Sequence, residues 1–180
     1  METSLQTPNP PVNMLSGYVS QHQTTFTVCC HDSTFKNVTA SDSAGNPLFR
    51  VEGSAFGTSW SWRRKNGWVV ESPDGGQLCS LQHKAQVTRD HSAVDVTVRT
   101  EAGEDVLAVM RPNGHAAITV TVSVGDTIIA TVHKVEDNSP GMRGDRERSV
   151  WEARVAAGVD LSFIMVMVLC RAEMGHVWKQ

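Results

Sequence analysis

The stretch Leu161–Cys170 (LSFIMVMVLC) carries one polar side chain in ten residues, Ser162. No other part of the chain limits the possible folds so tightly. As a helix, the 16 residues from Val155 to Cys170 span ~24 Å, short of the ~30 Å hydrocarbon core of a bilayer. The window also contains Asp160. Near a helix centre an Asp costs roughly 3 kcal/mol on insertion, against a gain of about 0.5 for each large aliphatic, so the sum lies near zero and a membrane anchor is marginal. An ordinary core helix shows a polar stripe to solvent. Phe163 to Cys170 has none, so such a helix must be surrounded by protein.

The remainder of the chain offers strands to surround it. Short stretches of β-forming residues read as strands at 24–30, 35–41, 48–53, 58–62, 68–71, 78–84, 93–99, 105–110, 116–123, 127–134 and 149–155. Turn chemistry separates them: SAGN (43–46), KNG (65–67), SPDGG (72–76), EAGED (101–105), RPNG (111–114) and VGD (124–126). Ile118, Val120 and Val122 alternate with Thr119, Thr121 and Ser123, as on a half-buried strand. Strands at this spacing predict an antiparallel sandwich or barrel. At ~11 residues per strand and turn there is room for about twelve strands, and a barrel that wide is not filled by its own side chains. A hydrophobic helix over about 159–174, threaded through the lumen, would fill it. Met165, Met167 and Met174 suit an irregular lumen because Met adapts its shape. Asp160 is expected to cap the helix N-terminus at the barrel mouth, a structural role. A catalytic carboxylate there has no visible partner.

Residues 1–23 are rich in Pro, Asn, Gln, Ser and Thr and read as an extended arm, part of which packs through Met14, Leu15 and Tyr18. Residues 24–180 form the barrel domain. The first residues lack the basic and apolar segments of a signal peptide. The four cysteines form no C-x-x-C pair. The expectation is a cytoplasmic protein, with peripheral membrane attachment or a nuclear location compatible. Net charge is −3, which gives no field for nucleic acid, and none is expected as a partner. The seven His lack metal-ligand spacing, so neither metal nor cofactor is expected. No nucleophile elbow, P-loop, dinucleotide fingerprint or H-E-x-x-H occurs, which predicts a non-enzyme.

Several stretches resemble the LURP-one-related proteins. In ASDSAGNPLFRVEG (40–53), Asp42, Gly45, Asn46, Phe49, Val51 and Gly53 stand at the positions of that family's opening hairpin, D-x-x-G-N-x-x-F-x-V-x-G. WVVESPDGGQLCSLQHK (68–84) is similar to its next hairpin, DTIIATVHK (126–134) to a late strand, and VAAGVDLSFIMVMVLCRAEM (155–174) to its central helix. Order and spacing agree over about residues 24–175. The resemblance implies a tubby C-terminal-like fold: mainly β, a closed antiparallel barrel of about twelve strands around a central hydrophobic C-terminal helix. The family is linked with plant defence. Related tubby-like domains bind phosphoinositide head groups through basic residues, and the related phospholipid scramblases attach to membranes through a cysteine cluster and respond to calcium. This chain has only Cys29–Cys30 and no clear acidic calcium segment, and no tubby lipid-binding residue carries over by position.

SWSWRRKNGW (59–68) concentrates three of the five Trp with Arg63, Arg64 and Lys65. Cations beside an exposed Trp at a hairpin tip suit an anionic head group, each cation adding ~1 kcal/mol near such a surface. The plainer reading makes Trp60 and Trp62 core and the cations a solvated tip. The candidate lipid or anion site is Arg63, Arg64, Lys65 and Trp68. In 142–149, Arg143-Gly144-Asp145 reads as a chance match to an integrin ligand in a polar loop. The expected function is a non-enzymatic binding or adaptor domain that contacts phosphoinositide, another anionic head group or a protein partner. The alternatives are a scramblase-like membrane-associated protein and a small-ligand barrel or unrecognised enzyme.

Overall fold

A computed structural model describes residues 3–15, 17–31, 37–52, 62–64, 67–71, 77–83, 93–100, 102–113, 118–137 and 149–177. The strands are β1 (Thr24–Cys30), β2 (Asn37–Asp42), β3 (Pro47–Glu52), β4 (Trp62–Arg64), β5 (Gly67–Glu71), β6 (Gln77–His83), β7 (Val94–Arg99), β8 (Asp105–Asn113), β9 (Thr119–Val124), β10 (Thr127–Asp137) and β11 (Ser149–Val155). One helix, α1 (Leu161–Val177), follows. It runs a few residues beyond the sequence expectation at its C-terminus. Among the described residues, no helix is long and apolar enough to cross a membrane.

The strands form one antiparallel sheet in the order β3-β2-β1-β11-β10-β9-β8-β7-β6-β5-β4. The expected closed barrel of about twelve strands is thus found as an eleven-stranded sheet among the described residues, with β3 and β4 as its two ends and no ladder joining them. Neighbours alternate in direction, so an odd number leaves β3 and β4 running the same way. Most of the predicted strand 58–62 lies outside the described residues.

Alternation decides which side chains face the core. On β1, Phe26, Val28 and Cys30 are buried, while Thr25, Thr27 and Cys29 are half-buried on the other face. Val94, Val96 and Val98 of β7 and Val120 and Val122 of β9 point inward in the same way. Ile118 departs from the expected alternation: it precedes β9 and is 47 % exposed. A register shift between Ile128 and Ala130 lets two successive residues, Ile129 and Ala130, turn inward at 0 % exposure.

The buried faces of the sheet combine with α1 in one core. Every residue of α1 from Ser162 to Ala172 is buried, and Phe163, Ile164, Met167 and Val168 are at 0 %. A helix needs ~10 Å of width with its side chains. Small inward residues on the strands, Ala40, Ala108, Ala130 and Ala153, leave that room. The apolar run has no polar stripe because no side of it meets water.

Turn chemistry holds where the sequence marks it. Asp42 Oδ1 accepts from the amides of Ala44 (2.9 Å) and Asn46 (2.8 Å), and Oδ2 from the Asn46 side chain (2.9 Å). These bonds hold the Asp42 carboxyl below its ordinary pKa, the Asn46 side chain most of all. Gly45 takes the left-handed φ of +84° that this turn requires.

Candidate functional site

The backbone brings most of the predicted anion site into one hairpin. Arg63 and Arg64 lie on β4 and Trp68 on β5; Trp62 pairs with Trp68 and Arg64 with Gly67. The two arginines belong to the strand rather than leading into the turn, and Gly67 belongs to β5, leaving two residues between the strands. Lys65 lies outside the described residues. β4 is one end of the sheet order, so the hairpin flanks the sheet on one side only.

The buried polar centre of the structure is Asp160, at 0 % exposure. It directly precedes α1 and occupies the N-cap. Its Oδ1 accepts from the Ser162 amide at 2.7 Å, the Ser162 hydroxyl at 2.5 Å and the Phe163 amide at 3.4 Å. These are the second and third residues of the helix, whose amides have no partner within it. A negative charge at this terminus also suits the helix dipole.

The other carboxylate oxygen has a different task. Oδ2 accepts from the amides of Met14 (2.8 Å) and Leu15 (2.6 Å), almost 150 residues away in sequence. One carboxylate therefore ties the N-terminal arm to the start of α1. Its oxygens are filled by five donors, so the geometry is that of a structural clasp rather than a base aimed at a substrate.

The arm passes residues 158–161 twice. On one side Val12 N donates to Gly158 O (3.2 Å) and Asp160 N to Val12 O (2.9 Å), a parallel bridge between Val12 and Val159. On the other, Ser20 N donates to Val159 O (3.0 Å), Gly158 N to Ser20 O (2.8 Å) and Leu161 N to Tyr18 O (3.0 Å). Val12 and Met14 are buried, at 0 % and 4 %. Tyr18, expected to pack on the domain, is 43 % exposed and leans on Phe49, with ring centroids 5.2 Å apart. Val12 was missed by the sequence reading. Its signal is the spacing Val12-x-Met14, which puts two apolar residues on one face of an extended chain.

Cys30, Cys79 and Cys170 are buried and Cys29 is half-buried. Burial pushes the Cys79 thiol up to about 12, far from a nucleophilic thiolate at neutral pH. The same cause lowers the pKa of Arg171, which its neighbour Cys170 partly offsets. His31 contacts the Thr39 hydroxyl at 2.9 Å and His133 the Thr119 hydroxyl at 2.8 Å. Among the described residues no three His, Cys, Asp or Glu side chains gather to hold a metal ion. His91 and His115, together with the Arg143-Gly144-Asp145 loop, lie outside the described residues.

No curated protein matches the sequence. A crystal structure of a protein from Arabidopsis thaliana is similar over 92 % of this chain and 99 % of that one, at 18 % identity and a TM-score of 0.48. The model of the LURP-one-related family matches residues 19–172, from the second pass of the arm through the buried part of α1. Over that span lie every strand described above and the capped, buried part of the helix, and the chain belongs to the LURP-one-related family.

Proposed function

We propose that this chain is a non-enzymatic binding or adaptor domain whose sheet closes around α1, so that recognition falls to its outer surface. The all-round burial of α1 supports the closure. A helix occupying the core also argues against a ligand cavity there. A scramblase-like use of α1 in a bilayer would require stripping it from the sheet, which its burial disfavours.

The ligand class proposed is an anionic membrane head group, phosphoinositide in particular. The observation that carries it is the β4–β5 hairpin, which gathers Arg63, Arg64 and Trp68 within a few residues of Lys65 at one end of the sheet order. Two or three cations add ~1 kcal/mol each near an anionic surface, enough for reversible, salt-sensitive attachment. The test is flotation with phosphatidylcholine vesicles, with and without phosphoinositide. Wild-type protein is expected to float only with the phosphoinositide, and the Arg63→Ala, Arg64→Ala, Lys65→Ala triple variant to stay behind. Equal flotation of the two proteins would remove the hairpin as the site. No flotation of either would move the proposal to a protein partner.

A further inference from the structure

We infer that the described N-terminal arm, residues 3–15 and 17–20, is a latched strap that opens as one unit ahead of the sheet, with Asp160 as its latch. The bonds of the arm differ in kind from those of the strands. Each inner strand of the sheet is laddered on both sides. Among the described residues the arm makes isolated bridges, Val12 to Val159 and Val19 to Asp160, a backbone bond to the sheet from Gln6 N to Ile128 O at 2.9 Å, and a side-chain bond between the Ser20 and Thr24 hydroxyls at the start of β1. Its remaining described backbone bonds to the body converge on residues 158–161. A segment held mainly at one short stretch, with Val12 and Met14 as its buried apolar knobs, belongs to the low end of the local stability range.

Both passes clasp the same four residues, so neither leaves without disturbing the other. Loss of the first pass frees Gly158 O and Asp160 N, and loss of the second frees Gly158 N, Val159 O and Leu161 N. The shared segment makes the two passes cooperative. Opening uncovers Val159, buried at 0 %, and the first turn of α1, so the strap decides whether the start of the buried helix is accessible.

The division of labour within the carboxylate makes the latch testable. Asp160→Asn keeps one acceptor oxygen and replaces the other with an NH2 group that cannot accept from an amide. With that oxygen on Ser162, the helix stays capped and the Met14 and Leu15 amides lose their acceptor. Ser162→Ala leaves the bonds from Met14 and Leu15 to Oδ2 in place and serves as the control. Residue-resolved hydrogen exchange on the full chain is the measurement. In wild type, the Val12, Met14, Leu15 and Ser20 amides are expected to exchange together, faster than the ladder amides of Val28 and Ala153. In Asp160→Asn those four are expected to speed up together by roughly tenfold or more, since bonds to a charged acceptor are the strong ones, with the ladder amides unchanged. Ser162→Ala is expected to leave them near wild type. Strap amides that exchange only at the ladder rate in wild type would overturn the inference, whether or not the variant folds. So would four amides that respond independently in Asp160→Asn, or not at all.

Discussion

Gly158 sits at φ +78°, a backbone region that L side chains rarely adopt. A Cβ built there would stand 2.9 Å from the Thr7 methyl of the arm. Two costs thus meet at one residue, the left-handed backbone and the contact with the arm. Gly158→Ala is expected to lower unfolding free energy by about 1–2 kcal/mol, mostly from the backbone. Adding Thr7→Ser, which removes the methyl, should recover only the smaller steric part. Denaturant melts of the single and double variants measure both; full recovery in the double variant would show that the backbone strain is negligible. At this scale the sequence was partly legible. Asp160 immediately before an apolar run marks a helix N-terminus, because a short acceptor side chain reaches the orphan amides of its own first turn. Nothing in the sequence says that its second oxygen holds Met14 and Leu15. That bond depends on where the arm lies in space, and no local pattern encodes it.

Elements follow from periodicity wherever one face of a strand is wet and the other dry. β1 and β11 begin and end where the pattern places them; β1 alternates over Thr25–Cys30 and β11 over Trp151–Val155. β8 does not: it continues through Arg111, Pro112 and Asn113, which read as a turn. Pro is tolerated there because β7 pairs with β8 only as far as Met110, so Pro112 has a single neighbour, opposite Val120 on β9. The helix is the opposite case. Its lack of periodicity is the signal, and surrounding protein is the explanation. Val166, 5 % exposed in the middle of α1, tests this. Val166→Asp buries a charge with no partner and is expected to abolish soluble folding, whereas Val166→Ala should fold at a cost of about 2 kcal/mol. Soluble yield and circular dichroism of the pair measure it, and a well-folded Asp variant would refute a helix enclosed on all sides.

At the scale of the whole molecule the strand order joins distant parts of the chain. β11 inserts between β1 and β10, bringing the first and last strands side by side and delivering the chain to the start of α1. Cys30, Cys79 and Cys170 lie on three elements that share this core, while Cys29 is turned to the other face of β1. Alkylation of the folded protein is therefore expected to label Cys29 alone among the four, with the others reacting in the same step as global unfolding; early labelling of Cys79 would show that the sheet opens in parts. The sequence by itself determined the mainly β class, the positions of most strands, the buried terminal helix and its Asp160 cap. Each is set within a few residues by periodicity, turn chemistry or charge. Only the tertiary structure decided the order of the strands, the two passes of the arm and the partners of Asp160. Those contacts join residues up to 148 positions apart, Val12 to Asp160, and their free energy comes from burial and hydrogen bonds that exist only once the chain has folded.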